Sequence, residues 1–368
     1  MNPAALLLSD PSPVLRRLVL RDLLARPADD PEVLELDTFC LQDPLAADLV
    51  NMQSADGAWR ATVFGESWGS RAIQATALAL MRLGYLGFGP QDAAVERGAA
   101  YLFAQQRADG SWPLPGRGEP GAALEDADFL TPAAGALDLG EAEAPRDGYA
   151  MMPLQTALPL RGLAACGFSG DPRAERAYDW LLAQRLPDGA WPTGLARSGV
   201  YGYVAGYRRM PHSRWGCRSN TTGALLCLAL HPQRRSGPEA RRALDLLLGR
   251  ETREEYALGY EVARQLGAEP AHGFTTFYAR FDLALLLDLC AHIGAGPQDE
   301  RVTSLVSFVK GLQGPLGLWE YQRRPQIARW LTFDLLRSLA VLDSEVTDWL
   351  SLEPRTPFQP YQPKSKRY

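Results

Sequence analysis

The sequence has few cysteines and no spacing of them that would form a disulfide framework. Its 368 residues include five, an odd number, scattered along the chain. Three of the five lie in strongly apolar helical segments, where a free thiol behaves as a small buried hydrophobe. We therefore predict buried free thiols at Cys40, Cys166, Cys217, Cys227 and Cys290.

Long apolar runs and an excess of basic charge are also missing. No apolar run reaches the length needed to span a bilayer, and the N-terminus lacks a basic region followed by an apolar core and a cleavage site. The 38 Lys and Arg against 43 Asp and Glu give a formal net charge of −5, which argues against a nucleic-acid partner. We expect a cytoplasmic globular protein.

What the chain does contain is a repeated unit, a helix that ends in a Gly-containing turn closed by tryptophan. The fullest copy runs from Arg97 to Trp112, and the same ending recurs at Trp59, Trp191 and Trp319. The intervals of 53, 79 and 128 residues leave room for one degenerate copy in the last gap, for which residues 242–249 are the candidate. A helix-terminating glycine at a fixed offset from tryptophan marks an internal repeat.

The repeated unit resembles the QW motif of squalene-hopene and oxidosqualene cyclases, whose α/α toroid is shared by protein prenyltransferase β subunits. The copy ending at Trp319 matches the second half of the motif, whereas Asp48 replaces the aromatic residue of the first copy and Arg185 replaces the glutamine of the third. The resemblance covers most of residues 40–342. It implies the fold more strongly than the chemistry, because the family includes cyclases, transferases and binding scaffolds. The second copy matches every motif position, at Arg97, Gly98, Tyr101, Leu102, Gln106, Gly110 and Trp112.

Amphipathic helices of this kind alternate with helices that are apolar nearly all round. A helix without a polar face is buried between neighbours, so the alternation predicts an outer and an inner ring. With the N-terminal helix at residues 11–25, five to six hairpins result, and we predict an all-α, α/α toroid in one domain, residues 1–353, followed by an extended tail, 354–368. The predicted inner helices are 68–84, 149–167, 218–230, 274–294 and 328–342.

The predicted inner helices begin with aromatic and polar residues. If the inner helices run parallel, these starts meet at one mouth of a central cavity, which describes a ligand pocket. The alternative is that the aromatic residues cover the core and the polar residues cap helices. The candidate substrate-binding residues are Trp68, Trp215, Arg218, Asn220, Phe277, Tyr278 and Trp330.

Two groups of acids are candidate catalytic residues. Asp282 lies in an apolar run, where a carboxylate must be paired or protonated, and an ion pair with a neighbouring arginine is its alternative reading. Asp126 and Asp128 resemble the Asp-x-Asp-Asp sequence of cyclases that protonate an alkene or epoxide, although Phe129 replaces the last acid. They lie in an acidic insert, residues 113–148, with a local net charge of −6. We predict that this insert is a surface loop or a lid.

Two further patterns concern anions and metals. Arg208, Arg209 and Arg214 precede a helix N-terminus and are candidates for anion binding, or they neutralise the acidic insert. The resemblance to prenyltransferases suggests a zinc site at Cys217 and His272, 55 residues apart. Zinc needs a third protein ligand, and Trp215 occupies the position of the expected aspartate, so we predict no metal and no cofactor.

The predicted role is binding of an apolar, isoprenoid ligand in an aromatic-lined central cavity, with proton-initiated cyclisation as the reaction that the cyclase resemblance implies. A non-catalytic scaffold for a ligand or a protein is the alternative, and a zinc-dependent prenyl transferase is the third reading. The basic end of the tail could contact an anionic membrane. A carboxylate inside the cavity distinguishes the enzyme from the scaffold.

Overall fold

A computed structural model describes residues 3–60, 72–112, 153–193, 209–210, 212–249, 256–270, 277–278, 280–321, 324–344 and 346. Within these ranges the regular structure is helical, and only two isolated β-bridges occur outside the helices. This confirms the all-α prediction. The acidic insert and the C-terminal tail lie outside the described residues, as does residue 68. In the ranges above, no helix has both the length and the apolar character needed to cross a membrane.

The described residues form fourteen α-helices joined by turns and short 3₁₀ segments. The second helix continues as a π-helical turn over Val19–Leu23. The helices are α1 Pro3–Leu8, α2 Pro13–Leu18, α3 Pro31–Phe39, α4 Pro44–Asn51, α5 Ala72–Tyr85, α6 Ala93–Ala104, α7 Pro153–Ala165, α8 Pro172–Ala183, α9 Arg218–Ala229, α10 Pro238–Leu248, α11 Tyr260–Gln265, α12 Leu283–Ile293, α13 Glu300–Gly311 and α14 Ala328–Leu342.

Burial separates the helices into two rings. All twelve residues of α9 are buried, whereas α10, which follows it, buries Ala240, Ala243, Leu244 and residues 246–248 and leaves its arginines in solvent. Spacing of three and four residues between buried positions is the apolar stripe of a surface helix. The same contrast holds for α5 and α6 and for α7 and α8, so inner and outer helices alternate along the chain.

The inner helices close into a ring. Within the described ranges α5, α7, α9, α12 and α14 pack in that order, and α14 packs on the π-helical turn that extends α2. The ring closes between α2 and α5, where the Arg17 guanidinium donates to the Leu86 carbonyl at 2.8 Å and to the Asp37 carboxylate at 2.7 Å. Arg17 is thus buried and paired.

The tryptophan endings join the two rings with the same geometry four times. Each indole N–H donates, at 2.7 Å, to a carbonyl of the preceding outer helix ten residues earlier. Each tryptophan backbone N–H donates to a buried threonine hydroxyl of the following inner helix. Each tryptophan turn therefore links an outer helix to the following inner helix through hydrogen bonds. The pairs are Trp59 with Thr76, Trp112 with Thr156, Trp191 with Thr221 and Trp319 with Thr332.

Close packing against the next outer helix explains why the second turn contains a glycine at position 110. Gly110 has φ of +93°, and a Cβ there would lie 2.4 Å from the Arg176 carbonyl oxygen on the next outer helix. Only glycine adopts this conformation without steric cost and allows so close an approach. The Gln106 amide donates to the Gly110 carbonyl at 2.9 Å and to the Arg173 carbonyl at 3.0 Å. The turn thereby holds the next outer helix as well as its own.

The structure corrects three details of the sequence-based picture. The inner helix predicted at residues 274–294 begins at Leu283, because Asp282 caps it and the described residues just before it, 280–282, are not helical. The helix predicted at 11–25 changes to π-helical geometry after Leu18. The degenerate fifth copy ends α10 at Gly249 with φ of −68°, so it lacks the left-handed glycine of the other turns.

Candidate functional site in the lumen of the ring

The centre of the ring is occupied by the chain itself. Helix α11, in the segment between α10 and α12, contacts the inner helices α5 and α14, and all six of its residues are buried. The Arg82 guanidinium of α5 donates to the Arg264 carbonyl at 3.0 Å. At the other end, Gly259 has φ of +92°, and a Cβ there would lie 2.7 Å from the Leu331 side chain of α14. Helix α11 is therefore fitted closely inside the ring.

A buried network of charges holds α11 in place. Arg161 of α7 donates to the Glu261 carboxylate at 2.6 Å and to the Tyr278 hydroxyl at 2.5 Å, and Arg264 pairs with the other Glu261 oxygen. Burial would raise the pKa of Glu261, but Arg264 and Arg161 outweigh it and hold that pKa at about 2. The Arg264 guanidinium also lies 3.5 Å from the centroid of the Phe277 ring. Polar residues enter the lumen here because each is paired.

Asp282, a candidate catalytic acid, links α11 to α12. Its carboxylate accepts hydrogen bonds from the backbone N–H groups of Gly259 at 2.9 Å, Glu261 at 2.7 Å and Ala284 at 3.1 Å. It caps the start of both helices, and among the described residues it forms no salt bridge. Burial raises the pKa of Asp282 to about 6, although the three backbone donors oppose the shift. These contacts assign Asp282 a clear structural task.

Beside α11 lies a cavity of about 250 Å³ in the lumen, at the level of the C-terminal halves of α5 and α7. Its lining combines charged, polar and apolar residues, and among the described lining residues Tyr85 is the one phenol or indole side chain, which differs from the aromatic-lined cavity expected from the sequence. The π-helical turn contributes Arg21 and Asp22, both exposed, so the cavity meets solvent there. The apolar lining comes from Leu18, Met81, Ala165, Leu230, Val262, Ala284 and Leu285.

The cavity wall carries a cluster of titratable groups from α5, α12 and α14. Asp334 accepts a hydrogen bond from the Tyr85 hydroxyl at 3.2 Å and lies 3.3 Å from the Arg337 guanidinium. Arg337 also donates to Asp288 at 3.2 Å, and the His292 imidazole lies 3.3 Å from the same Asp288 oxygen. We call these five residues the lumen cluster. Their side chains lie deep in the ring yet keep 15–32% exposure at the four charged members, because they face the cavity.

The two carboxyl groups of the lumen cluster have opposite pKa shifts. Burial raises the pKa of Asp334 from 3.8 to about 7, helped by the negative charge of Asp288 and opposed by Arg337. Burial would also raise the pKa of Asp288, but His292 and Arg337 hold it well below its usual value. The neighbouring Asp288 in turn raises the pKa of His292. Paired acids whose environments separate their pKa values take different roles, one protonated and one ionised.

The two oxygens of Asp334 have different partners. Its Oδ2 receives the Tyr85 hydrogen bond, whereas Oδ1 accepts no hydrogen bond within the part of the chain that the structure describes and lies 3.3 Å from Nη2 of Arg337. A carboxyl group with a pKa near 7 is protonated for much of the time at neutral pH, so it can donate a proton to a bound molecule.

The aromatic candidates from the sequence lie around α11 and behind the lumen cluster. Phe277 and Tyr278 are buried, form an edge-to-face pair with centroids 4.8 Å apart, and pack against Arg264. Trp330 is buried against Tyr85, with ring centroids 5.8 Å apart. Through Tyr85, Trp330 supports the cavity wall, and through Arg161 the Tyr278 hydroxyl does the same.

The remaining candidates lie at the starts of the inner helices, away from the described cavity lining. The buried Asn220 side chain accepts from the Leu154 backbone N–H at 2.9 Å and so caps α7, while Arg218 is the first residue of α9. Arg214 is exposed and lies over the Trp215 ring at 5.1 Å. Arg209, also exposed, donates to the Ser213 carbonyl at 3.2 Å.

Several predictions concern residues that the structure does not describe. Trp68, Asp126, Asp128, Arg208 and His272 lie outside the described ranges. Cys217 is a buried thiol at the start of α9, and all five cysteines are buried and free, as predicted. Across the described ranges, no three His, Cys, Asp or Glu side chains gather where they could hold a metal ion.

Sequence reasoning missed the lumen cluster, because none of its five residues is among the candidate site residues named above. A usable signal was present: charged residues in the interior of otherwise apolar inner helices, such as Arg82 and Arg161, all face the lumen or α11. A helix buried by its neighbours has nowhere else to place a charge.

A second hollow of about 340 Å³ lies away from the lumen, between residues 256–258 and the turn before Trp319. Although it is larger, Glu320 is the one carboxylate among its described lining residues, and Tyr256 and Tyr321 contribute phenol groups. It therefore lacks the paired acids of the lumen cavity.

The fold and the cavity define an α/α ring with a polar site in its lumen, and comparison with known proteins adds the following. No protein-family model matches the chain, and no curated protein does. The apo structure of the type II terpene cyclase MstE from Scytonema is similar at 15% identity over 80% of this chain and 95% of that chain, with a TM-score of 0.31. A variant of that enzyme in complex with geranylgeranyl dihydroxybenzoate, its substrate, is similar at 14% identity over 83% and 96%, with a TM-score of 0.31. A protein from Actinoplanes is similar at 17% identity over 81% and 97%, with a TM-score of 0.32.

Proposed function

We propose that this protein binds a compact isoprenoid ligand in the lumen cavity and that Asp334 protonates it, in a reaction of the terpene cyclase type. The observation that supports the proposal most directly is the Asp334 carboxyl group, which lines the cavity, accepts a hydrogen bond from the Tyr85 hydroxyl and has its pKa raised by burial to about 7. The resemblance of the tryptophan repeats to the QW motif and the apolar residues of the lining support an isoprenoid ligand.

The proposed step moves one proton and one electron pair. The Asp334 O–H bond breaks, and the proton forms a C–H bond with the electron pair of a ligand double bond. A carbocation is left on the other carbon, and Asp334 becomes a carboxylate that Arg337, 3.3 Å away, stabilises. The Tyr85 hydroxyl orients the acid through its hydrogen bond. After cyclisation, a C–H bond next to the cation breaks, its electron pair forms a double bond, and the proton passes to the Asp334 carboxylate, directly or through water, which restores the acid and the charge balance.

The other acid candidates have defined places in this proposal. Asp282 acts as a positioning residue, because both of its oxygens accept backbone hydrogen bonds. Asp126 and Asp128 are alternative proton donors from the acidic insert. Asp288 stays ionised and keeps the Arg337 guanidinium in the cluster.

A non-catalytic ligand-binding scaffold is the second candidate, and a specific observation favours it. Helix α11 occupies the lumen, and the cavity of about 250 Å³ that remains is below the roughly 300–1,000 Å³ of typical small-molecule sites. A scaffold would bind a ligand without changing its bonds, and the charged lining would recognise polar groups of that ligand.

Deuterium incorporation tests the proposal. The purified protein in D₂O is incubated with geranyl, farnesyl and geranylgeranyl alcohols and diphosphates, and the products are analysed by mass spectrometry. Proton-initiated cyclisation gives a product with solvent deuterium on carbon, and Asp334→Asn is expected to lower its rate by about 10²–10⁴-fold.

The matched control is Asp48→Asn, on the exposed side of α4, which should keep the wild-type rate. An unchanged rate in Asp334→Asn would exclude this residue as the acid. Ligand recovered intact from the protein, by native mass spectrometry and extraction, without any deuterated product would support the scaffold.

A further inference from the structure

Helix α11 forms one wall of the lumen cavity. Glu261, Val262 and Gln265 of this helix line the cavity, opposite the lumen cluster residues of α12 and α14. The helix also contacts α5 and α14, so it bounds the cavity on this side. The helix therefore decides how far a ligand in the cavity can extend.

This wall is fixed to the ring at several points. Arg161 of α7 holds Glu261, Arg82 of α5 holds the Arg264 carbonyl, and Asp282 holds the start of the helix. The close approach of Gly259 to Leu331 leaves no gap toward α14. Because contacts from four inner helices or their caps converge on one short helix, the wall does not yield easily to a larger ligand.

We propose that α11 determines the size of ligand that the site accepts, with Val262 as the limiting side chain. This inference rests on the proposed function, because it concerns the same cavity and the same ligand class. Val262 is 2% exposed, carries no polar group and takes no part in the charge network, so its contribution to the wall is its volume. Gln265 is less suitable as the limit, since its amide donates to Glu261 at 2.8 Å and stabilises that network.

Changes at Val262 should shift ligand preference in opposite directions. Val262→Ala removes the volume of two methyl groups, and filling that space with ligand carbon is expected to improve the affinity for a longer isoprenoid by about tenfold relative to a shorter one. Val262→Leu adds volume and should lower the affinity for the longest ligand that the wild type binds. Val341→Ala, on α14 at 66% exposure, is the matched control.

The test is isothermal titration calorimetry. Geraniol, farnesol and geranylgeraniol are each titrated into the wild type and the three variants, and the heat of binding gives the affinity. The expected result is a preference for longer alcohols in Val262→Ala, for shorter ones in Val262→Leu, and no change in Val341→Ala. The same order and ratio of affinities in all four proteins would overturn the role of α11 while leaving the proposed function intact. No binding to any of the four would overturn the proposed function, and the inference with it.

Discussion

The tryptophan turns and the lumen cluster are built on opposite principles. The turns repeat one arrangement four times, with the same indole hydrogen-bond length of 2.7 Å in each. The lumen cluster draws one residue from α5 and two each from α12 and α14, and its contacts follow no repeat. The difference indicates that the turns stabilise the ring and that the features specific to this protein lie in the lumen.

The largest expected effect comes from removing a turn tryptophan. Trp112 is completely buried, and Trp112→Ala leaves a cavity and removes the indole hydrogen bond to the Leu102 carbonyl, which keeps only the bond from the Gln105 N–H. We expect a loss of about 3–5 kcal/mol in the free energy of unfolding, measured by urea denaturation. Leu316→Ala, at an exposed position of the fourth turn, is the control and should change little. A small loss at Trp112 would mean that the turns do not hold the rings together.

The lumen cluster should instead make the free energy of unfolding depend on pH. Because the pKa of Asp334 is raised from 3.8 to about 7, the folded protein keeps a proton that the unfolded chain releases in this range. The stabilisation is therefore fully present below about pH 4 and is lost as the pH rises through about 7, by up to about 1.4 kcal/mol per pKa unit.

Unfolding free energies of the wild type and Asp334→Asn, measured across this range, isolate the contribution of Asp334. Asp282 shifts in the same direction, up to about 6, but it is present in both proteins and cancels in the difference. A difference that does not change with pH would contradict the raised pKa.

The glycines of the turns allow a finer comparison. Gly110→Ala places a methyl group 2.4 Å from the Arg176 carbonyl oxygen, whereas Gly317→Ala meets only a side-chain atom at 4.0 Å. Both positions have positive φ, which costs an alanine about 1–2 kcal/mol. We expect Gly317→Ala to show this backbone cost alone and Gly110→Ala to lose clearly more in urea denaturation. Equal losses would show that the next outer helix moves aside.

The smallest expected effect is an increase in the free energy of unfolding. In the third turn Arg185 replaces the glutamine that bonds the turn carbonyl in the other three, and its buried Nη1 has no hydrogen-bond partner among the described residues. Arg185→Gln should restore that hydrogen bond to Gly189 and raise the free energy of unfolding by about 0.5–1.5 kcal/mol. Gln106→Arg should do the reverse in the second turn. A loss in Arg185→Gln would mean that the third turn uses its arginine.

The same contrast explains what the sequence could predict. The turns repeat and the inner helices lack a polar face, so both are visible in the pattern of residues, and α14 has the predicted bounds of 328–342. Helix α11 was not predicted inside the ring, because Glu261, Arg264 and Gln265 are residues that usually face water. Their burial depends on Arg161 and Tyr278, which are distant in sequence, and no local pattern reports such pairing.

The position of the cavity follows from this hidden helix. The sequence pointed to the starts of the inner helices, where Arg218 and Asn220 lie, whereas the cavity enclosed by the described residues is beside α11 and the lumen cluster. Asp334 is separated from Asp288 by 46 residues of sequence, and only the packing of α12 on α14 brings the two acids together.

The central claim is that Asp334 is a protonated acid in the lumen near neutral pH. Infrared difference spectroscopy of the wild type against Asp334→Asn, titrated from about pH 4 to about pH 9, follows the carboxyl C=O band of this residue directly. The account predicts a band that disappears with a midpoint near pH 7, matching the raised pKa of Asp334. A midpoint near the ordinary value of 3.8 would contradict it, because Asp334 would then be ionised and unable to donate the proton.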